Sequence, residues 1–105
     1  MKKNLFDDIP SELPEEFFTL LMEQDGIKLE RIVSDGHASP ENFWYNQDQN
    51  EWILLIAGSA ILRVGEKKVK LDVGDFLFLP AHQQHRVEST SKTEKTIWLA
   101  LFWNP

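Results

Sequence analysis

From Gly26 onward the chain is a series of short apolar blocks separated by turn residues, and no block is long enough for a substantial helix. Ile27, Leu29, Arg31 and Val33 alternate with Lys28, Glu30 and Ile32, the two-residue period of a strand. Further blocks follow at Phe43–Gln47, Glu51–Ile56, Ser59–Val64, Lys68–Leu71, Phe76–Leu79, His85–Glu88 and Thr96–Trp103. The breaks between them are turn chemistry: Asp48-Gln49-Asn50, Ala57-Gly58, Gly65-Glu66, Val73-Gly74-Asp75 and Pro80–Gln84. Many short strands at close, regular spacing predict an all-β sandwich or barrel.

Residues 11–23 read differently. Ser11 can cap a helix, Pro14 suits its first turn, and Glu15 and Glu16 sit where a helix dipole favours acids. Phe17, Leu20, Leu21 and Met22 follow at helical spacing, so a short helix over Pro14–Glu23, packed as a lid on the sheet, is expected. The expected organisation is an N-terminal segment 1–26 and a β unit 27–105.

Composition narrows the function classes. With 105 residues there is room for one core. Lys and Arg total 11 against 17 Asp and Glu, a net charge of −6, and the basic residues do not cluster beyond Lys67, Lys68 and Lys70. Such a surface repels phosphate backbones and anionic lipid, so neither nucleic acid nor membrane is an expected partner. There is no cysteine, which excludes disulfides, thiolate metal sites and cysteine nucleophiles. Met1-Lys2-Lys3 runs into an acidic, proline-broken stretch rather than an apolar one, and the apolar run Trp52–Ala57 falls far short of roughly 20 residues. A cytoplasmic protein is expected.

Two segments carry paired motifs. Gly74-Asp-Phe-Leu-Phe-Leu-Pro80-Ala81-His82-Gln83-Gln84-His85 has glycine, proline and histidine at the spacing of G-x5-P-x-G-x2-H, with His82 where a second glycine is usual and Ser89 where asparagine is common. Glu51 and Gly58 stand at E-x6-G spacing, the second half of a motif that otherwise opens H-x-H; the place of that pair holds Tyr45-Asn46-Gln47 or Trp44-Tyr45-Asn46. Over residues 43–89 the chain resembles the cupin superfamily. The resemblance implies a jelly roll, a conical barrel of antiparallel strands, with its site inside. It gives Glu51 and His85 metal-ligand roles, and implies one divalent transition metal whose identity among zinc, iron, nickel and manganese stays open.

By alternation Glu51 shares a face with Ile53 and Leu55, so it either enters a greasy interior beside a partner or sits at the rim in water. His85 is either a ligand or a core histidine bonded to backbone or to Glu51. A metal set of Gln47, Glu51 and His85 is weaker than three imidazoles. Equally, Tyr45, Gln47, Glu51 and His85 form a metal-free constellation that reads a small polar or sugar-like molecule or moves a proton. Tyr45, Trp44, Trp52 and His82 are the expected pocket wall; His37 belongs to a surface loop. The expected function is small-molecule binding at a metal-bearing site, with a metal-free binding or sensor module as the alternative; no catalytic residue or reaction is assigned. Thr96–Trp103 is apolar on both alternating faces, so one face needs a cover. A homodimer is expected, with Trp98 and Phe102 on the outward, interfacial face.

Overall fold

The computed structural model describes residues 1–105 and contains eight strands and no helix. These are β1 (Phe17–Gln24), β2 (Ile27–Ser34), β3 (Asn50–Ala57), β4 (Ala60–Val64), β5 (Lys67–Leu71), β6 (Phe76–Leu79), β7 (His85–Thr90) and β8 (Thr96–Trp103). One sheet has five strands in the order β1-β2-β8-β3-β6; the other has three in the order β5-β4-β7. Every pairing is antiparallel.

The expected helix over Pro14–Glu23 is a strand instead. β1 pairs with β2 from Phe17 opposite Val33 to Gln24 opposite Ile27. Asp25 (φ 52°) and Gly26 (φ 78°) are both left-handed, which is the two-residue hairpin turn that Asp-Gly favours. The helical look of the apolar residues has a local cause: the register slips between Leu20 and Met22, so Leu21 is an extra residue that breaks the two-residue period. The β1–β2 hairpin turns at Asp25-Gly26, so the sheet is continuous across residue 26. The block Phe43–Gln47 is likewise not a full strand. Asn42 (φ 66°) turns the chain after Pro40, and only Tyr45 pairs, through an isolated bridge to His85.

The core lies between the sheets. Ile53, Leu55, Trp98 and Ala100 from the large sheet meet Leu62 and Leu71 from the small one, with Leu79 alongside. Leu55, fully buried, contributes about 1.5–3 kcal/mol of transfer free energy. β8 pairs Trp98 with Leu55 and Phe102 with Glu51, so these rings share the inward face. This corrects the expected interface: Trp98 is only 4% exposed and belongs to the core. The outward face of β8 is the other one, bearing Leu99, Leu101 and Trp103. Trp52 and Phe76 (5.6 Å) and Phe78 and Trp103 (5.8 Å) pack together on that side of the sheet.

No helix covers that outer face. At one end it is crossed by the N-terminal segment, held by the buried Arg31. Its Nη1 donates to the carbonyls of Leu5 (2.8 Å) and Asp7 (2.6 Å), and its Nη2 to the Thr19 hydroxyl (3.0 Å). These oxygens replace the water the guanidinium gives up.

Candidate functional site

β3 and β7 face each other across the interior, and each brings one ionisable side chain to the same end of it. Glu51 is 7% exposed and His85 6%. Their closest atoms, Glu51 Oε1 and His85 Nε2, are 3.5 Å apart. Gln47 Nε2 donates to the same carboxylate oxygen at 2.8 Å. His85 Nδ1 lies 2.9 Å from the Gln83 carbonyl, which can only accept, so Nδ1 carries a proton and Nε2 is left to face Glu51. Tyr45 stacks on the imidazole with ring centroids 5.2 Å apart.

Burial by itself pushes the His85 pKa down. The interaction with the Glu51 carboxylate, the bond to the Gln83 carbonyl and the Glu51 charge outweigh it, so His85 titrates above its ordinary value. The Tyr45 hydroxyl is pushed up, first by burial and then by the negative charges of Glu16 and Glu51.

A cavity of about 60 Å³ opens beside this pair, with room for a few waters or one very small organic molecule. Glu16, Tyr45, Glu51 and His85 supply its polar lining; Phe18, Ile32, Ile53, Leu62 and Trp98 are among the apolar walls. Glu16 accepts a hydrogen bond from the Ser34 hydroxyl at 2.5 Å, and the Trp98 indole reaches the same hydroxyl at 3.4 Å. The sequence places Glu16 at the start of an expected helix and so does not mark it for the site. Its position on a strand approach to the interior exists only once β1 has paired with β2.

The structure thus brings Tyr45, Gln47, Glu51 and His85 together. It leaves Trp44, Trp52 and His82 out of the cavity wall. Trp44 is exposed, and Trp52 lies on the outer sheet face against Phe76. His82 takes a left-handed conformation (φ 65°) in the Pro80–Gln83 turn, and its exposed ring bonds Asn46 Oδ1 at 3.1 Å. That backbone requirement accounts for a glycine at this place in the motif. His37 is a loop residue whose Nδ1 accepts the Asp35 amide at 2.9 Å.

As a metal set, Gln47, Glu51 and His85 are incomplete. Glu51 and His85 offer one oxygen and one nitrogen, but Gln47 turns its amide nitrogen, which cannot coordinate, toward the carboxylate. Nowhere in the chain do three His, Asp or Glu side chains come close enough together to hold one metal ion. The residues present do not fit a resident three-ligand centre.

Comparison with known proteins agrees with the fold. Residues 31–102 match the cupin domain family. A Ralstonia eutropha JMP134 protein described as a candidate mannose-6-phosphate isomerase is 41% identical, with a TM-score of 0.95 over 100% of this chain and 99% of its own. A Desulfitobacterium hafniense DCB-2 cupin superfamily protein is 18% identical, with a TM-score of 0.76 over 92% of this chain and 84% of its own. A Thermus thermophilus protein is 17% identical, with a TM-score of 0.81 over 98% of this chain and 96% of its own. No curated protein matches the chain. No helix is long and apolar enough to cross a membrane. The family match over most of the chain and the 41% identity agree that this protein belongs to the cupin family.

Proposed function

We propose that the chain is a small-molecule-binding cupin whose working unit is the Glu51–His85 pair, acting without a resident metal. The observation that carries this reading is the 3.5 Å approach of two nine-tenths-buried ionisable groups beside a cavity. With Nδ1 protonated by its bond to the Gln83 carbonyl, a second proton at Nε2 is held against the carboxylate. The pair can therefore deliver a proton at Nε2, or take one from a ligand there, near neutral pH. Gln47 orients the carboxylate through its 2.8 Å bond.

An aldose–ketose isomerase, as the Ralstonia protein is described, needs a base of this kind. A sugar phosphate fits this cavity poorly, however. Its volume is well under the roughly 300–1,000 Å³ of typical ligand pockets, and no Lys or Arg lines it. The reading therefore stops at small-molecule binding with proton-transfer capacity.

Elemental analysis of protein purified without chelator or affinity nickel tests the metal-free part; the expected divalent metal content is well below one ion per chain. A stoichiometric ion that is lost in both Glu51→Gln and His85→Ala would replace this reading with the Gln47–Glu51–His85 metal site.

The partner is proposed to be a second copy. On a chain of net charge −6, the part of the outer face formed by Trp52, Leu54, Phe76, Phe78, Leu101 and Trp103 has no charged side chain among these six, and Arg31 on the same face is covered by the N-terminal segment. It is a surface that two copies can bring together without like-charge repulsion. With extents of 38 × 37 × 24 Å, the molecule offers a broad face large enough for the roughly 800 Å² per partner of a stable interface.

A further inference from the structure

Resting on that binding reading, we infer that the cavity selects a small organic ammonium ion over any phosphorylated or carboxylated molecule. Its titratable lining is Glu16, Glu51 and His85, with the Tyr45 phenol, and it contains no lysine or arginine. If His85 is protonated it offsets Glu51 and leaves Glu16 uncompensated; if neutral, two negative charges remain. Either way the lining is anionic, and a monocation brings it closer to neutrality. An anion would add another like charge in a confined apolar space, where water screens poorly.

A cluster of acids on an open surface would carry no such conclusion, but this one lines a cavity with mostly apolar walls and has an oxygen to spare. Glu51 Oε1 takes both contacts, from Gln47 and His85, while Oε2 has no hydrogen-bond partner in the chain. It belongs to a nine-tenths-buried side chain that lines the cavity. A carboxylate oxygen that faces a mostly apolar cavity without a donor is stabilised by a ligand N–H, and ammonium donors make the stronger, charge-assisted bond. The remaining walls suit the body of such a ligand. Phe18, Tyr45 and Trp98 present aromatic rings, whose faces attract cations, and Ile32, Ile53 and Leu62 accept a short alkyl chain. The volume of about 60 Å³ limits that chain to a few carbons, or to the amino terminus of something longer.

The experiment titrates the native protein with ethylammonium, ethanol, acetate and inorganic phosphate at matched ionic strength and fixed pH. It follows the His85 ring and Trp98 indole signals by nuclear magnetic resonance. Saturable shifts are expected with ethylammonium alone, and Glu16→Gln should weaken its binding at least fivefold while keeping the Ser34 bond. Should Glu16→Gln fail to fold, Glu51→Gln serves the same purpose, with the same expected loss. Ethanol, acetate or phosphate shifting these signals as tightly as ethylammonium would overturn the charge selection but leave small-molecule binding standing. Unchanged ethylammonium affinity in the variant would also overturn it. No response to any probe would remove both.

Discussion

Tyr45 and His85 exchange both backbone hydrogen bonds, Tyr45 N to His85 O at 2.8 Å and His85 N to Tyr45 O at 3.2 Å, and stack their rings 20° from parallel. This single bridge ties the irregular segment before β3 to the first residue of β7. It sets the phenol over the imidazole, while the His82 amide, donating to the Gln47 carbonyl at 2.8 Å, holds Gln47 near Glu51. Truncation should therefore loosen the site as well as the fold. Tyr45→Ala is expected to destabilise by about 1–3 kcal/mol, combining lost burial with the stacked pair, and Tyr45→Phe by much less. Urea unfolding of the two variants checks the difference.

The Glu51 carboxylate is the main positive influence on His85. Glu51→Gln should lower the His85 pKa, since burial is then opposed mainly by the bond to the Gln83 carbonyl. A nuclear magnetic resonance titration of the imidazole reads this directly. An unchanged His85 pKa in the variant would disprove the coupling.

Because the folded-state pKa of His85 is raised, the folded protein holds this proton more tightly than the unfolded chain does. The stabilisation is fully present below the unfolded value of about 6.5 and is lost as pH rises through the folded value. Thermal unfolding between pH 6 and 9 should show this decline in the native protein and a flatter profile in His85→Gln.

Gly58 (φ 83°) closes the turn between β3 and β4 against the start of β8. A Cβ there would lie 2.7 Å from Thr96 Cα and 2.9 Å from the Lys95 carbonyl oxygen. Both are backbone atoms and cannot swing aside. Gly58→Ala should destabilise by more than about 2 kcal/mol, from the left-handed backbone and the contact together. Gly26→Ala, with open space around it, should lose less. Denaturation midpoints of the two variants rank them.

The proposed dimer predicts that a charge on the outer sheet face separates the copies without unfolding them. Phe78 is 53% exposed in the single chain and stacks on Trp103. Sedimentation equilibrium should give twice the chain mass for the native protein and the single-chain mass for Phe78→Glu, with the circular dichroism spectrum unchanged. A native protein that stays at one chain mass across the micromolar range rules the dimer out.

The strands were legible in the sequence wherever apolar alternation and turn residues acted over a few positions, as at Ile27–Val33, Phe76–Leu79 and Thr96–Trp103. The E-x6-G and G-x5-P-x4-H spacings likewise marked Glu51 and His85. Side-chain alternation along a strand and the left-handed turns after it are local properties, so sequence determines them by itself. The pairing of strands is not local. Only the docking of β1 on β2 decided that Phe17–Gln24 is a strand rather than a helix, because one bulged residue at Leu21 makes the two periods look alike. Only the register of β8 between β2 and β3 decided that Trp98, rather than Leu99, turns inward. The same closure carried Glu16 to the cavity, and it left Trp44, Trp52 and His82 away from it. An alternating strand has two apolar candidates for its inner face, and the choice between them rests on what the neighbouring strands bring against each.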